Sequence, residues 1–233
     1  VTAGAGHGWA DDGPGSADLV GTLTRADMRR VAYYLPLAVS SGTREWVRDA
    51  VLAGEASDIE WRLKGDLARF PFGPGEGTLE VVARAHGGLL EYAPGWPRIE
   101  DITADIRFVG KRMEVHAQSA SILGAQLRVR AVIPDLEHHY EILQVEGEAQ
   151  APSSEFLRFI EASPVAAMMD RFLDGMEAQG RGRLVLALEM PLREPERSRV
   201  TGSYEFASNR LRVDPGLPPL EQVDGRIEFT ERS

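Results

Sequence analysis

The sequence predicts an α+β protein, mainly β, in which a repeated antiparallel sheet is preceded in each repeat by short broken helices. One observation behind this is an internal repeat: residues 90–108, LEYAPGWPRIEDITADIRF, recur without a gap as residues 211–229, LRVDPGLPPLEQVDGRIEF. The other is that both copies end in alternating apolar and polar residues, the pattern of a strand with one apolar face and one wet face. Repeated units usually stack on one another, so this repeat organises the whole chain.

The composition is that of a globular protein without cysteine. The 233 residues include 43% hydrophobic and 27% charged residues and carry a net charge of −10. This acidic balance argues against a nucleic-acid partner, and the lack of cysteine excludes disulfides, thiol catalysis and thiolate metal sites. No apolar run approaches the roughly 20 residues of a membrane span, and the first 18 residues lack the pattern of a signal peptide.

Helical signals open the first repeat. Thr24 and Asp27 resemble a capping box, so we expect a helix from there to about Tyr34. A second helix is expected over about residues 43–52, where apolar side chains recur at helical spacing. Gly54 is well placed to stop it.

From Ala56 the period changes to two, and strands alternate with turns. We expect strands around residues 59–63, 79–83, 102–108, 113–123, 127–133 and 140–149. Gly87 and Gly88 are the signal of a hairpin turn. Because the strands are mostly consecutive, antiparallel meander pairing is the default.

The second repeat begins as the first does. Apolar residues recur at helical spacing from Ser153 to Leu173, and residues 176–182 are expected to lead out of this helix. A strand is then expected over residues 184–190, and a turn at Ser208-Asn209 precedes the second copy of the repeated segment.

The repeat divides the chain into three parts. Residues 1–20, rich in Gly, Ala, Asp and Ser, are expected to be a flexible linker. A first helix-plus-strands unit covers residues 21–150, and a second, truncated unit covers residues 151–233. Since the chain starts without Met and ends just after a strand pattern, we expect it to be part of a longer protein.

No catalytic or metal constellation emerges from the sequence, so we expect no enzyme activity, no cofactor and no metal. His138 and His139 are neighbours in a polar turn, and no second ligand pair has metal spacing. His86 and His116 fall in the polar register of strands. Ser119 lacks the Gly-flanked elbow of a hydrolase nucleophile.

What remains is the apolar face that the strands share. If the helices cover it, the face is an ordinary closed core. If part of it stays uncovered, it forms a groove suited to an apolar ligand. The residues alone leave both alternatives open.

Three pairs of segments resemble a known family: RFPF (69–72) with GTLEV (77–81), YAPGWP (92–97) with FVGKRM (108–113), and FLRFIEASPV (156–165) with GRLVL (182–186). Together they resemble the central periplasmic region of the YhdP family, which belongs to the AsmA-like group of envelope proteins that also includes TamB. The resemblance covers nearly all of the expected ordered chain.

The resemblance implies a segment of a large envelope protein of Gram-negative bacteria, anchored in the inner membrane by a helix absent from this chain and extending through the periplasm. Members of the group are thought to form a long, twisted, taco-like sheet whose apolar interior carries phospholipid towards the outer membrane. The partners implied are phospholipid acyl chains and the remaining repeats of the same full-length chain. We expect the lipid groove to be lined by Ile102, Ile106, Phe108, Leu127, Val129, Leu186, Leu188, Val223, Ile227 and Phe229.

Two functions from different classes follow. The first is a segment of a bridge-like carrier that moves phospholipid between the two membranes along an apolar β groove. The second is a non-catalytic structural or protein-docking module of the envelope, in which the same strands close a core. The accessibility of the apolar positions distinguishes them.

Overall fold

A computed structural model describes residues 14–35, 39–70, 72–73, 75–136, 141–168, 173–194 and 197–230. Its main feature is one ten-stranded open sheet in which every strand pairs antiparallel with its neighbours in sequence. The strands are β1 (Ser16–Asp27), β2 (Val51–Asp66), β3 (Gly77–Leu90), β4 (Ile99–Val109), β5 (Arg112–Ile122), β6 (Ala125–Ile133), β7 (Ile142–Pro152), β8 (Glu177–Pro191), β9 (Arg199–Arg212) and β10 (Leu220–Thr230).

Few residues are helical. The α-helices are α1 (Ser41–Ala50), α2 (Ser153–Glu161) and α3 (Val165–Met168), and the 3₁₀ helices cover Met28–Tyr33 and Leu67–Arg69. The predicted fold class, mainly β with antiparallel meander pairing and short broken helices, is confirmed. A ten-stranded open sheet of this kind is consistent with a twisted, taco-like shape, because adjacent strands of any sheet are rotated in a constant sense.

The turns expected at Gly87-Gly88 and at Ser208-Asn209 are wrong, because both positions lie within continuous strands. Gly87 belongs to β3 and Ser208 to β9, and both have a left-handed backbone, with φ of 57° and 54°. The ladder between β3 and β4 shifts register next to Gly87 and then resumes. One extra residue in a left-handed conformation makes a β-bulge, and a bulge needs the same backbone freedom as a turn.

Such bulges recur on several strands. Left-handed residues stand beside register shifts in β2, β3, β4, β8, β9 and β10 at Asp58, Gly87, Asp101, Gly180, Ser208 and Gln222. A bulged strand bends and twists more strongly than a regular one. The bulges therefore bend and twist the strands that carry them, whereas β6 and β7 pair without a register shift.

The repeat is visible as two equivalent hairpins. β3 and β4 form the first, and β9 and β10 form the second. The bounds of β4 and β10, residues 99–109 and 220–230, differ by the same 121 positions as the repeated sequences. The division of the chain into a linker and two units stays a prediction.

The first predicted helix is wrong over residues 24–27. These residues belong to β1, which pairs with β2 along its length, and only Met28–Tyr33 forms a 3₁₀ helix. Asp27 caps this helix by accepting a hydrogen bond from Arg29 N. Of the expected linker, residues 1–13 lie outside the described residues, and residues 16–20 lie in β1.

Other element boundaries also change. α1 ends at Ala50 and β2 follows at once, so Gly54 lies inside β2 and does not stop a helix. Similarly, β8 starts at Glu177, within the segment expected to leave the second helix. In both places pairing with a distant strand extends the β structure beyond what local signals predict.

The core is small and lined by short side chains. Ala85, Ala104 and Ala117 form a buried cluster on β3, β4 and β5, and Met28 of the first 3₁₀ helix packs against it. Among the described residues, no helix is both long and apolar enough to cross a membrane.

Candidate functional site: the inner face of the sheet

Because of the strand register, every second side chain of each strand lies on a single apolar surface, called the inner face here. One continuous row across it runs from β3 to β8 through Ala83, Ile106, Val115, Ala131, Val145 and Leu188. Side chains on one face of a sheet share its environment because they alternate with period two. The inner face is therefore set by local alternation on each strand and by the register between strands.

All ten residues predicted to line a groove lie on the inner face. Those of the first repeat are on β4 and β6, and those of the second are on β8 and β10. Nine of the ten are partly buried, and Ile227 is 54% exposed. Inner-face residues of β2, β3, β5, β7 and β9 were not among the predicted groove residues, although their alternation carries the same signal: Trp61, Val81, Val115, Val145 and Tyr204.

The strand expected over residues 140–149 is observed at Ile142–Pro152, and its first apolar residue faces outward. β7 begins at Ile142, whose side chain is exposed, and Leu143 and Val145 face inward with Met190 and Leu188 opposite them. The apolar residue type alone did not reveal the face, because alternation within the strand decides it.

Four aromatic rings of the inner face lie over glycines of the neighbouring strand. A Cβ built on any of these glycines would come within about 2.5 Å of a ring carbon. The pairs are Trp61 over Gly21, Tyr204 over Gly182, Phe206 over Gly225 and Phe229 over Gly202. Because glycine has no side chain, an aromatic ring can lie across the neighbouring strand at each of these positions. The glycines therefore let the rings form a continuous apolar surface there.

The opposite face, called the outer face here, is charged. Arginines and carboxylates alternate across neighbouring strands: Arg107 binds Glu80 at 2.7 Å, and Arg130 binds Glu114 at 2.6 Å. The Arg183 guanidinium, with the Gln150 amide, lowers the pKa of Glu148 to about 2. Such pairs are exposed and weak individually, but they keep this side of the sheet polar.

Helix α2 lies against the inner face near the ends of β7 and β8. Its Phe159 ring is 6.0 Å from the ring of Trp96 in the β3–β4 connection, and Phe156 packs edge-to-face against Tyr204 of β9 with centroids 4.8 Å apart. Tyr92 extends the group through Trp96, and burial raises the pKa of Tyr92 to about 12. These rings join two parts of the sheet that are far apart along it.

A polar cluster fixes the start of α2. Asn209 of β9 is fully buried; its Oδ1 accepts a hydrogen bond from Arg181 N and its amide donates to Ser153 Oγ. Tyr204 donates a second hydrogen bond to the same Ser153 Oγ at 2.8 Å. No buried side-chain nitrogen or oxygen among the described residues lacks a partner. This cluster is a satisfied structural network and presents no unused polar group.

The histidines provide no metal centre in the described part of the chain, where no group of three or more potential ligands is found. His86 hydrogen-bonds Ser57 at 3.1 Å, and His116 is exposed between Asp105 and Arg130 in the register of the outer face. His138 and His139 lie outside the described residues.

Comparison with known proteins gives one relative. The chain is 21% identical over 221 residues to the intermembrane phospholipid transporter YhdP of Escherichia coli strain K12. The match covers 94% of this chain and 17% of the relative, so the chain spans about a sixth of that protein's length. No solved structure matches. The model of the YhdP protein family matches residues 2–233, and the chain therefore belongs to the YhdP family.

Proposed function

We propose that this chain is a segment of a bridge-like carrier and that phospholipid acyl chains move between the inner and outer membranes along its inner face. In this proposal the longer protein lies in the periplasm, is anchored in the inner membrane, and supplies further repeats that continue the groove. Its role is non-catalytic. The relative's name, an intermembrane phospholipid transporter, supports the substrate class.

The proposal rests on the observation that the rest of the protein covers little of the apolar inner face. Large residues such as Phe108, Leu186 and Leu188 are only partly buried, whereas the buried members of the face are mostly alanines. A closed core would bury its largest apolar side chains most completely. An acyl chain laid on this surface would gain about 0.8 kcal/mol for each methylene removed from water.

This mode of binding fits a carrier. Apolar contact is non-directional, so it holds a chain without fixing its position along the sheet. The charged outer face keeps the same sheet compatible with water, and its cross-strand ion pairs follow the strands without interrupting the inner face. A groove that binds by area alone lets lipid slide from one strand to the next.

The experiment uses neighbours on one strand as a matched pair. A photocrosslinking amino acid replaces Leu186 on the inner face or Val185, which is apolar, 41% exposed and on the outer face. Both are introduced into the full-length protein in cells, and crosslinked phospholipid is identified by mass spectrometry. We expect phospholipid at Leu186 and background labelling at Val185.

The alternative function, a closed structural or docking module, predicts that neither position captures lipid in folded, abundant protein. It predicts instead that protein crosslinks dominate at exposed positions of the outer face. Phospholipid at both positions in equal amounts would also contradict the proposal, since it would indicate general contact with membrane.

A further inference from the structure

Helix α1 runs between opposite ends of the strands, from the start of β7 to the start of β2. Its last residue, Ala50, leads directly into β2 at the end of the strands where Val51 pairs with Leu90; this end is called the first rim. Its N-terminal cap, Ser40, contacts Glu141, which immediately precedes β7 at the other end of the strands, the second rim. Four strands, β3 to β6, separate β2 from β7 in the sheet.

The length of α1 shows where it runs. A ten-residue helix is about 15 Å long, whereas five strand spacings alone amount to about 24 Å in a flat sheet. The two rims can be joined by α1 only because the sheet curves. A straight helix between two points of a curved sheet lies on its concave side. α1 packs against the 3₁₀ helix Met28–Tyr33, whose Met28 covers Ala85 and Ala104, so α1 lies on the side of the inner face.

The N-terminal attachment of α1 is a small buried hydrogen-bond group. Glu141 is 2% exposed, and its Oε2 accepts hydrogen bonds from Ser40 Oγ and Thr43 Oγ1, both at 3.3 Å. Ser40 Oγ also accepts from Thr43 N and thus caps the helix. Among the described residues, no arginine or lysine pairs with Glu141.

This attachment is well suited to open. A buried carboxylate that is held by two long hydroxyl bonds lacks the strong charge-assisted pairing that arginine would give. It regains full hydration when it separates from the helix, which offsets part of the hydrogen bonding that is lost. At the C-terminal side, in contrast, α1 is covalently continuous with β2, and Trp46 Nε1 donates to Tyr92 O at 2.9 Å.

We propose that α1 is a releasable bar across the lipid groove, held shut by the hydrogen bonds of Ser40 and Thr43 to Glu141. Lipid passes the part of the inner face formed by β3 to β5 when these bonds break and α1 swings about its junction with β2. This inference rests on the proposed carrier function. It adds that passage is gated within this segment.

The test compares two photocrosslinking positions in the full-length protein. Ile102 packs beside the alanine cluster that Met28 covers, whereas Leu186 lies on β8. The variant S40A/T43V removes both hydroxyls that hold Glu141. The control S41A changes an exposed serine one position away from Ser40.

We expect S40A/T43V to raise phospholipid capture at Ile102 about tenfold, the population shift that follows from losing two ordinary hydrogen bonds. Capture at Leu186 should stay the same, and S41A should change neither. Hydrogen exchange of the amides of residues 44–50 should become faster in S40A/T43V and also in T43V alone, which keeps the Ser40 cap, and this checks release of the helix without any lipid.

The outcomes separate the two proposals. Unchanged capture at Ile102 with normal capture at Leu186 would overturn the bar and leave the carrier standing. Unchanged hydrogen exchange in α1 would also overturn the bar. Absence of phospholipid at both positions in every variant would overturn the carrier function itself.

Discussion

Asp101 and Gln222 lie 121 positions apart and adopt the same left-handed backbone, with φ of 52° and 55°. Each stands beside a register shift near the start of its strand, β4 or β10. The repeat therefore preserves an unfavourable conformation, which costs a residue with a Cβ roughly 1–2 kcal/mol, while the residue type changes. The bulge is a property of the repeated architecture and is independent of one side chain.

A first prediction concerns this strain. Replacing Gln222 by Val should destabilise the chain by about 1–2 kcal/mol, because a β-branched residue is poorly tolerated at positive φ. Replacing it by Gly should leave stability unchanged or raise it slightly. Urea denaturation followed by circular dichroism measures both, and Glu221→Val is the neighbouring control. Equal midpoints for Q222V and Q222G would show that the bulge relaxes at no cost.

A second prediction concerns glycines beneath aromatic rings. A methyl group on Gly202 would lie 2.4 Å from a ring carbon of Phe229 and 2.9 Å from Val185 O, so Gly202→Ala should cost about 1–3 kcal/mol. On Gly147, also on the inner face, the nearest atom would be 3.8 Å away. Gly147→Ala should therefore be neutral or stabilising by up to about 1 kcal/mol. Thermal unfolding of the two variants gives the contrast, and similar losses for both would contradict it.

A third prediction tests the polar cluster under α2. Asn209 is fully buried, and Asn209→Ala leaves the part-buried Arg181 N without its acceptor, so it should cost about 1–3 kcal/mol. Tyr204→Phe removes only one of the two hydrogen bonds to Ser153 and should cost about 1 kcal/mol. Denaturant unfolding gives the free energies, and the exposed Gln126→Ala is the control. A larger loss in the free energy of unfolding for Y204F than for N209A would contradict this prediction.

A fourth prediction concerns acid. The pKa of Glu148 is lowered from its ordinary value of 4.5 to about 2, first by the Arg183 guanidinium and then by the Gln150 amide. A lowered pKa in the folded state stabilises above the unfolded value, so this contribution is complete above about pH 4.5 and is lost as pH falls through about 2. Arg183→Gln should raise the pKa of Glu148, as measured by NMR titration of its carboxyl carbon. Arg84→Gln, which affects a different ion pair, should not move it.

A fifth prediction concerns passage of lipid. Ile227 is on the inner face and 54% exposed, so Ile227→Asp should allow folding while placing a charge where acyl chains would lie. Phospholipid transport by the full-length protein should fall at least about tenfold, because desolvating an unpaired carboxylate costs several kcal/mol. Val185→Asp on the outer face should leave transport unchanged. Normal transport by folded, abundant I227D protein would remove this position from the lipid path.

The inner face could be predicted from the sequence because alternation is local. Ile106 and Leu186 face the same side for reasons contained in the few residues around each of them. Gly87 was misjudged because a bulge and a turn require the same backbone conformation. The second copy of the repeat indicated the correct structure. Ser208-Asn209 is equivalent to Gly87-Gly88, contains no glycine and lies only a few residues before the true turn at Pro215-Gly216.

Other features depend on contacts between distant residues. β1 replaces the first turn of the expected helix, residues 24–27, because Arg25 and Ala26 pair with Ser57 and Ala56 of β2. The contact of Ser40 with Glu141 joins positions 101 residues apart, and nothing in the serine-rich start of α1 indicates it. Tertiary pairing of this kind overrides local preference.

The bulges have a consequence for the proposed carrier. Because a bulged strand bends through its own backbone, its curvature does not require a second layer of protein to press against. An acyl chain would then meet a preorganised surface and spend none of its binding energy on bending it. Further strands added at either edge would lengthen such a groove and leave its open side open.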